Sequence, residues 1–278
     1  SSSPFETEGA GPDEGNYFWT NSNLDNNTNY EWIDISNIGN VYSFSNNDEA
    51  GSWIPIGFDF PFYGNALNNI HYNQLFINPN GWVGFETDSD AWDNTSIPSN
   101  QVNGAAIFPL WDDLNPINDN CNSTCSGNVY YHSNSERLVV WFDSMAHWAS
   151  DGFENTSYDF QVIIYTDGKV NINIRTIEGN YSSTVGMQNA SGTIASQVDV
   201  YNGDYFSDNV SFKFIRPYIP DWLSISSNDG LSGELSSGVS TEIAVLADAS
   251  AASSRVSKKY VPFPIAAQLF NNLSVSAQ

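Results

Sequence analysis

The residues with the most chemical capacity crowd the stretch after Trp111. Asp112-Asp113, followed by Asn115, Asn118, Asp119 and Asn120, place hard oxygen donors on one loop. Calcium takes about six to eight such ligands in flexible geometry, so Asp112, Asp113, Asn115 and Asp119 form a candidate calcium set. The competing role is local: aspartates after a strand accept backbone N–H groups and cap the turn. Asp88-Ser89-Asp90-Ala91-Trp92-Asp93 is a second acidic cluster, without the mid-loop Gly and terminal Glu of an EF-hand. Nucleophilic chemistry has less to draw on. The histidines are His71, His132 and His147, with no His-Glu-x-x-His zinc pair and no Gly-x-Ser-x-Gly elbow in the chain. His147 stands four positions from both Asp143 and Asp151, near Ser144 and Ser150. Sequence neighbours seldom hold triad geometry, however. Carboxylate pairs for glycoside hydrolysis are defined by separation in space and stay open. The expectation is a protein that is not an enzyme, with no certain cofactor beyond a candidate calcium ion.

Other side chains suggest binding and modification. Trp92 and Trp148 lie in polar surroundings and could stack against sugar rings, whereas Trp141 sits in an apolar strand and reads as core. For Trp92 and Trp148, too, packing in a core or turn is the alternative. Cys121 and Cys125 fall in the loop-like Asn120-Cys121-Asn122-Ser123-Thr124-Cys125 and read as a local disulfide, since no second ligand pair for a metal lies nearby. Asn-x-Ser/Thr sequons occur at Asn26, Asn94, Asn122, Asn155, Asn180, Asn189, Asn209 and Asn272. They are candidate glycosylation sites, although an Asn- and Ser-rich chain produces several by chance.

Composition narrows the partners. The chain has 278 residues, with 32 acidic side chains against 8 Lys and Arg, a formal charge of −24. Such a molecule repels nucleic acid and anionic membrane surfaces. No stretch approaches the ~20 apolar residues that cross a bilayer as a helix. Aromatic residues make up 14% of the chain, too many for a disordered acidic tail. Ser1 reads as the start of a processed, exported chain, and the expected location is extracellular, at the cell surface.

These side chains must be positioned by strands. Short apolar or alternating runs separated by turn residues occur at 41–44, 70–77, 82–85, 129–131, 138–142, 158–165, 170–174, 197–201 and 210–215, and long helical periodicity is absent. Thr166-Asp167-Gly168-Lys169 predicts a tight hairpin in which Asp-Gly supplies the positive-φ positions, pairing 160–165 with 170–174 antiparallel. The fold class expected is all-β, an antiparallel β-sandwich.

Certain words in fixed order sharpen this. Phe58-Asp59-Phe60-Pro61-Phe62-Tyr63-Gly64, then Asn80-Gly81-Trp82 with Phe85, then Phe108-Pro109-Leu110-Trp111-Asp112-Asp113-Leu114, then Arg137 to Asp143, Tyr158 to Ile174 and Thr184 to Thr193 resemble the nidogen-like extracellular β-sandwich module. Tyr17-Phe18-Trp19 and Tyr30 to Ile35 resemble its opening strands. The resemblance spans roughly residues 17–216. It implies a module of secreted, multidomain prokaryotic surface proteins, found also beside the catalytic domains of some secreted proteases, and says almost nothing about activity.

Three segments follow: an acidic leader at 1–16, the sandwich at 17–216, and 217–278. Two prolines within Arg216-Pro217-Tyr218-Ile219-Pro220 cannot continue a central strand and mark the boundary. The start of the last segment resembles the opening strands of an immunoglobulin-like module, but is too short for the ~100 residues such a module takes. Its end carries Arg255, Lys258 and Lys259, then the apolar Tyr260, Val261, Phe263 and Ile265. A basic, apolar tail on an acidic body could dock on an open sheet edge of another copy and build a filament by strand exchange. The expected function is therefore a secreted structural or adhesive protein whose partners are further copies of itself or other surface proteins. The alternatives are a carbohydrate-binding accessory module, with glycans as partner, and the non-catalytic portion of a secreted protease.

Overall fold

In this computed structural model, residues 13–15, 17–24, 28–49, 51–63, 70–86, 89–117, 125–148, 155–200, 206–216, 223–226 and 244–247 are described. By internal contact the chain divides into two units, Ser1–Arg216 and Pro217–Gln278. Thirteen described strands make up the first: β1 (Phe18–Asn21), β2 (Asn40–Tyr42), β3 (Ile54–Pro61), β4 (His71–Asn78), β5 (Trp82–Gly84), β6 (Ala106–Trp111), β7 (Val129–Ser133), β8 (Arg137–Met145), β9 (Ser157–Tyr165), β10 (Val170–Glu178), β11 (Thr184–Gln188), β12 (Ala195–Val200) and β13 (Val210–Ile215). They form a seven-stranded sheet, β1-β13-β10-β9-β8-β7-β2, and a six-stranded sheet, β12-β11-β6-β5-β4-β3. All pairings are antiparallel, and the two sheets pack as a sandwich, as the sequence leads one to expect. In the second unit β14 (Leu223–Ser226) pairs antiparallel with β15 (Ala244–Ala247).

The alternation of each strand decides what it buries. Phe60, Phe62, Leu75, Ile77, Ile107, Leu110, Phe142, Phe160, Ile172 and Phe212 meet in the main core between the sheets. A fully buried side chain of this size stabilises by about 1.5–3 kcal/mol, so this cluster dominates the energetics. β6 also serves a second cluster: Phe108 and Trp111 point outward to Phe76, Trp82, Ile97 and Val102. Strict alternation would not send Leu110 inward along with Ile107. A register irregularity against β11, where Thr184 faces Trp111 and Gly186 faces Phe108, inserts the extra residue that makes this geometry. Pro109 sits inside that irregularity, where its missing N–H costs no ladder bond.

Two local expectations change. The β9–β10 hairpin forms with Ile164 opposite Val170, but among its turn residues only Gly168 has positive φ, at 85°. The Gly168 N–H donates to the Tyr165 carbonyl at 3.0 Å and the Tyr165 N–H to the Lys169 carbonyl at 3.0 Å. This is a three-residue loop with the glycine at the bulge position, not a two-residue Asp-Gly turn. Tyr30 to Ile35, which resembled an opening strand, joins no sheet. It lies as an extended strap across the outer face of the seven-stranded sheet. Ile35 packs there with Val139, Trp141 and Ile163. Gln161, fully buried, accepts the Ile33 N–H at 3.2 Å and donates to the Ile33 carbonyl at 3.3 Å, so a side-chain amide takes the place of a neighbouring strand.

Candidate functional site

The oxygen-rich stretch after β6 becomes a buried crossing point between the two sheets. Asp112 follows β6 and is 2% exposed. Its Oδ1 accepts the Asp113 N–H at 3.1 Å and the Ser182 hydroxyl at 3.1 Å, while Oδ2 accepts the Ser182 N–H at 3.0 Å. His147, just past β8, brings Nε2 to 3.2 Å from the same Oδ1, and its Nδ1 lies 2.7 Å from the Trp148 carbonyl oxygen. Both ring nitrogens face acceptors, so only the doubly protonated imidazolium satisfies both. The chain ends are tied together around the pair: Trp148 N–H donates to the Asp113 carbonyl at 2.7 Å, Asn115 N–H to the Ala146 carbonyl at 2.9 Å, and His147 N–H to the Thr156 hydroxyl at 2.8 Å. Asn80 holds the other side, its carbonyl accepting the Asp112 N–H at 3.3 Å and its Oδ1 the Leu114 N–H at 3.0 Å.

Electrostatics follow from this packing. Burial disfavours the charged form of His147, but the hydrogen bond and charge of Asp112, the Trp148 carbonyl and the charge of Asp113 outweigh it and raise the pKa above the usual imidazole value. Burial pushes the Asp113 carboxyl up to about 6; His147 opposes this, and the charges of Asp48, Asp112 and Asp93 add to it. Chemically the arrangement is a lock. Ser182 donates to Asp112, and of the neighbours considered for a triad Ser144 donates to Asp143 at 3.1 Å, while Ser150 and Asp151 lie outside the described residues.

The candidate calcium set is divided. Asp112 is committed to the four donors above, Asp113 is half-buried beside it, Asn115 is 3% exposed, and Asp119 lies outside the described residues. Among the described residues no three or more His, Cys, Asp and Glu side chains converge on a metal position. The pairing of Asp112 with His147 and Ser182 escapes the sequence because the partners are 35 and 70 residues away. Of the proposed disulfide, Cys125 is described and Cys121 lies outside the described residues.

Among the sequons, Asn155, Asn180 and Asn209 are exposed. Asn94 is 6% exposed, and its Nδ2 donates to the Ser182 carbonyl and, at 3.0 Å, to the Thr184 hydroxyl. Asn189 spends its side chain in a turn, donating to Ser191 and Thr193 hydroxyls and accepting the Thr193 N–H. Asn26, Asn122 and Asn272 lie outside the described residues, as do Arg255, Lys258, Lys259, Tyr260, Val261, Phe263 and Ile265 of the tail.

The tryptophans separate clearly. Trp148 is partly buried, with its backbone engaged at the lock. Trp141 is buried under the strap, its indole donating to Asp159 at 2.7 Å. Arg175 stacks 4.4 Å from the Trp32 ring and 5.2 Å from the Trp141 ring, and pairs with Asp159. Trp92, by contrast, is 49% exposed on the long loop outside β5 and β6. Asp90, Ala91, Asp93 and Gln101 share a concavity with it.

The words that carried the resemblance are thus the framework of the first unit. Phe58 to Tyr63 supplies the end of β3 and part of the core, Asn-Gly-Trp turns β4 into β5, and FPLWDDL supplies most of β6 and the lock. No curated protein and no solved structure gives a significant match to the chain. The family model described as NIDO related matches residues 24–215, nearly the whole first unit. The chain belongs to the NIDO-related family.

Proposed function

We propose that the chain is a non-catalytic extracellular module that serves a structural or adhesive role at a cell surface and assembles with further copies of itself. The family match over residues 24–215 carries the module and its extracellular setting. Self-assembly draws support from the sheet edges. Edge strand β3 is guarded by Pro55 and Pro61, with a register irregularity and a positive-φ Gly57 between them. Edge strand β2 carries no proline, and Ile38 and Val41 beside and within it are 59% and 56% exposed. A strand added there would cover both side chains. The basic, apolar segment 255–278 has the composition of such a donor on an acidic partner.

The test is particle size by light scattering and electron microscopy on the chain with residues 255–278 present and deleted, at low and seawater-like salt. Filaments that vanish on deletion are the expected outcome. Monomers in every condition reject self-assembly and leave an adhesive module acting alone.

A further inference from the structure

The loop 89–105, which closes the outer face of the six-stranded sheet, holds a concavity of about 380 Å³ lined by Asp90, Ala91, Trp92, Asp93 and Gln101. We propose that this is a saccharide-binding site, with Trp92 as the platform for the apolar face of a sugar ring and Asp90, Asp93 and Gln101 as partners for its hydroxyls. The proposal gives the adhesive reading a ligand class and rests on that reading for its biological meaning.

The loop is built to hold such a site still. The Ala91 carbonyl accepts two buried indole N–H groups, from Trp82 at 3.1 Å and Trp111 at 3.0 Å. The Ser89 hydroxyl donates to the Gln101 carbonyl at 3.0 Å, joining the two walls of the concavity. Asn78 Nδ2 donates to the Ser89 carbonyl at 2.6 Å and ties the loop to β4. Trp82 and Trp111 are fully buried beneath, while Trp92, next to the doubly bonded Ala91, stays half out in solvent. A protein that has the means to bury two indoles on this face leaves the third uncovered on the same pinned backbone.

The polar side chains around it are also uncommitted. Among the described residues, no hydrogen bond or ion pair engages the side chains of Asp90, Asp93 or Gln101. Two carboxylates and an amide beside an exposed aromatic ring suit a ligand with many hydroxyl donors and an apolar face, which describes a pyranose. The carboxylates and the net charge of −24 repel anionic ligands. A single ammonium or guanidinium group would satisfy the carboxylates but leave most of the space unfilled. The volume falls in the range of about 300–1,000 Å³ seen for small-molecule sites.

The test uses the full chain on an array of neutral oligosaccharides, followed by titration calorimetry of the strongest binder. Trp92→Ala should weaken binding about tenfold or more, Trp92→Phe should retain part of it, and Gln101→Ala should fall between. Unchanged thermal unfolding and near-ultraviolet circular dichroism of the variants exclude a folding defect. Binding should hold constant as salt rises from about 50 to about 500 mM, since a neutral ligand makes no screened pair. No saccharide bound at millimolar concentration, equal binding by Trp92→Ala, or binding only of a Lys/Arg-rich peptide that weakens with salt would each overturn the proposal. Surface attachment measured in parallel separates the two ideas. Attachment that survives Trp92→Ala, together with saccharide binding that the substitution leaves equal, keeps the adhesive reading and rejects the saccharide site. Saccharide binding without attachment does the reverse.

Discussion

Asp112 and His147 are 35 residues apart in the chain and share one hydrogen bond at the crossing of the two sheets. Both groups that titrate near neutrality at this crossing have raised pKa values, which sets the sign of the pH response. For Asp113, pushed up to about 6 from the ordinary carboxyl value of 3.8, the stabilising contribution is complete below 3.8 and is lost as pH rises through 6. For His147 it is complete below 6.5 and is lost as pH rises through its higher native value. Replacing Asp113 with Asn removes the first loss. Asp113→Asn should therefore stabilise the protein by roughly 1–3 kcal/mol at pH 8 and by nothing measurable below pH 4, read from denaturant unfolding across pH. A constant difference across that range would show that Asp113 does not titrate near 6. A second outcome at this scale concerns modification. In a glycosylating host, peptide mapping should find glycans on Asn155, Asn180 and Asn209 and none on Asn94, whose amide is consumed inside the fold. All eight sequons look alike in sequence, because the motif carries no record of whether its amide faces solvent or a carbonyl.

At the scale of elements, the strap and the turns show what alternation and turn chemistry can and cannot reveal. The hairpin of β9 and β10 was legible because glycine after a polar turn has few other uses, and only the turn class differed. Asn80-Gly81 between β4 and β5 is equally constrained. Gly81 has φ of 77°, and a Cβ there would come 2.0 Å from the Leu110 carbonyl oxygen, so no other residue fits without moving β6. Tyr30 to Ile35 has the apolar content of a strand but joins neither sheet, and its Ile33 N–H, Ile33 carbonyl and Glu31 carbonyl are bonded instead by the side chains of Gln161 and Asn173. Such pairing leaves no periodic trace. Gln161→Ala should cost about 1–3 kcal/mol by leaving the Ile33 peptide group without partners. Hydrogen exchange should then show lost protection at Ile33, while amides of β9 remain protected. Retained protection at Ile33 would mean that Ile35 and Trp32 alone hold the strap.

For the molecule as a whole, charge is the dominant property that does not depend on which residues touch. At −24 the first-order effect is self-repulsion, which salt screens over about 10 Å at 0.1 M and about 3 Å at 1 M. The melting temperature should rise as sodium chloride increases over that range, by scanning calorimetry. A flat response would show that the carboxylates are already too far apart to repel. Composition, turn residues and strand periodicity were enough by themselves to specify an acidic all-β sandwich, because those properties are local or additive along the chain, and the order of words such as Phe58 to Gly64 and Phe108 to Leu114 added the resemblance to the nidogen-like module. Tertiary structure alone decided that Asp112 faces His147 and Ser182, that Asn94 is buried, that Trp141 lies beneath Arg175 and Trp32, and that Trp92 stands exposed over a concavity. Each of these depends on which distant segment arrives at the same point, and that is settled by sheet order and packing, for which a single sequence has no short-range signal.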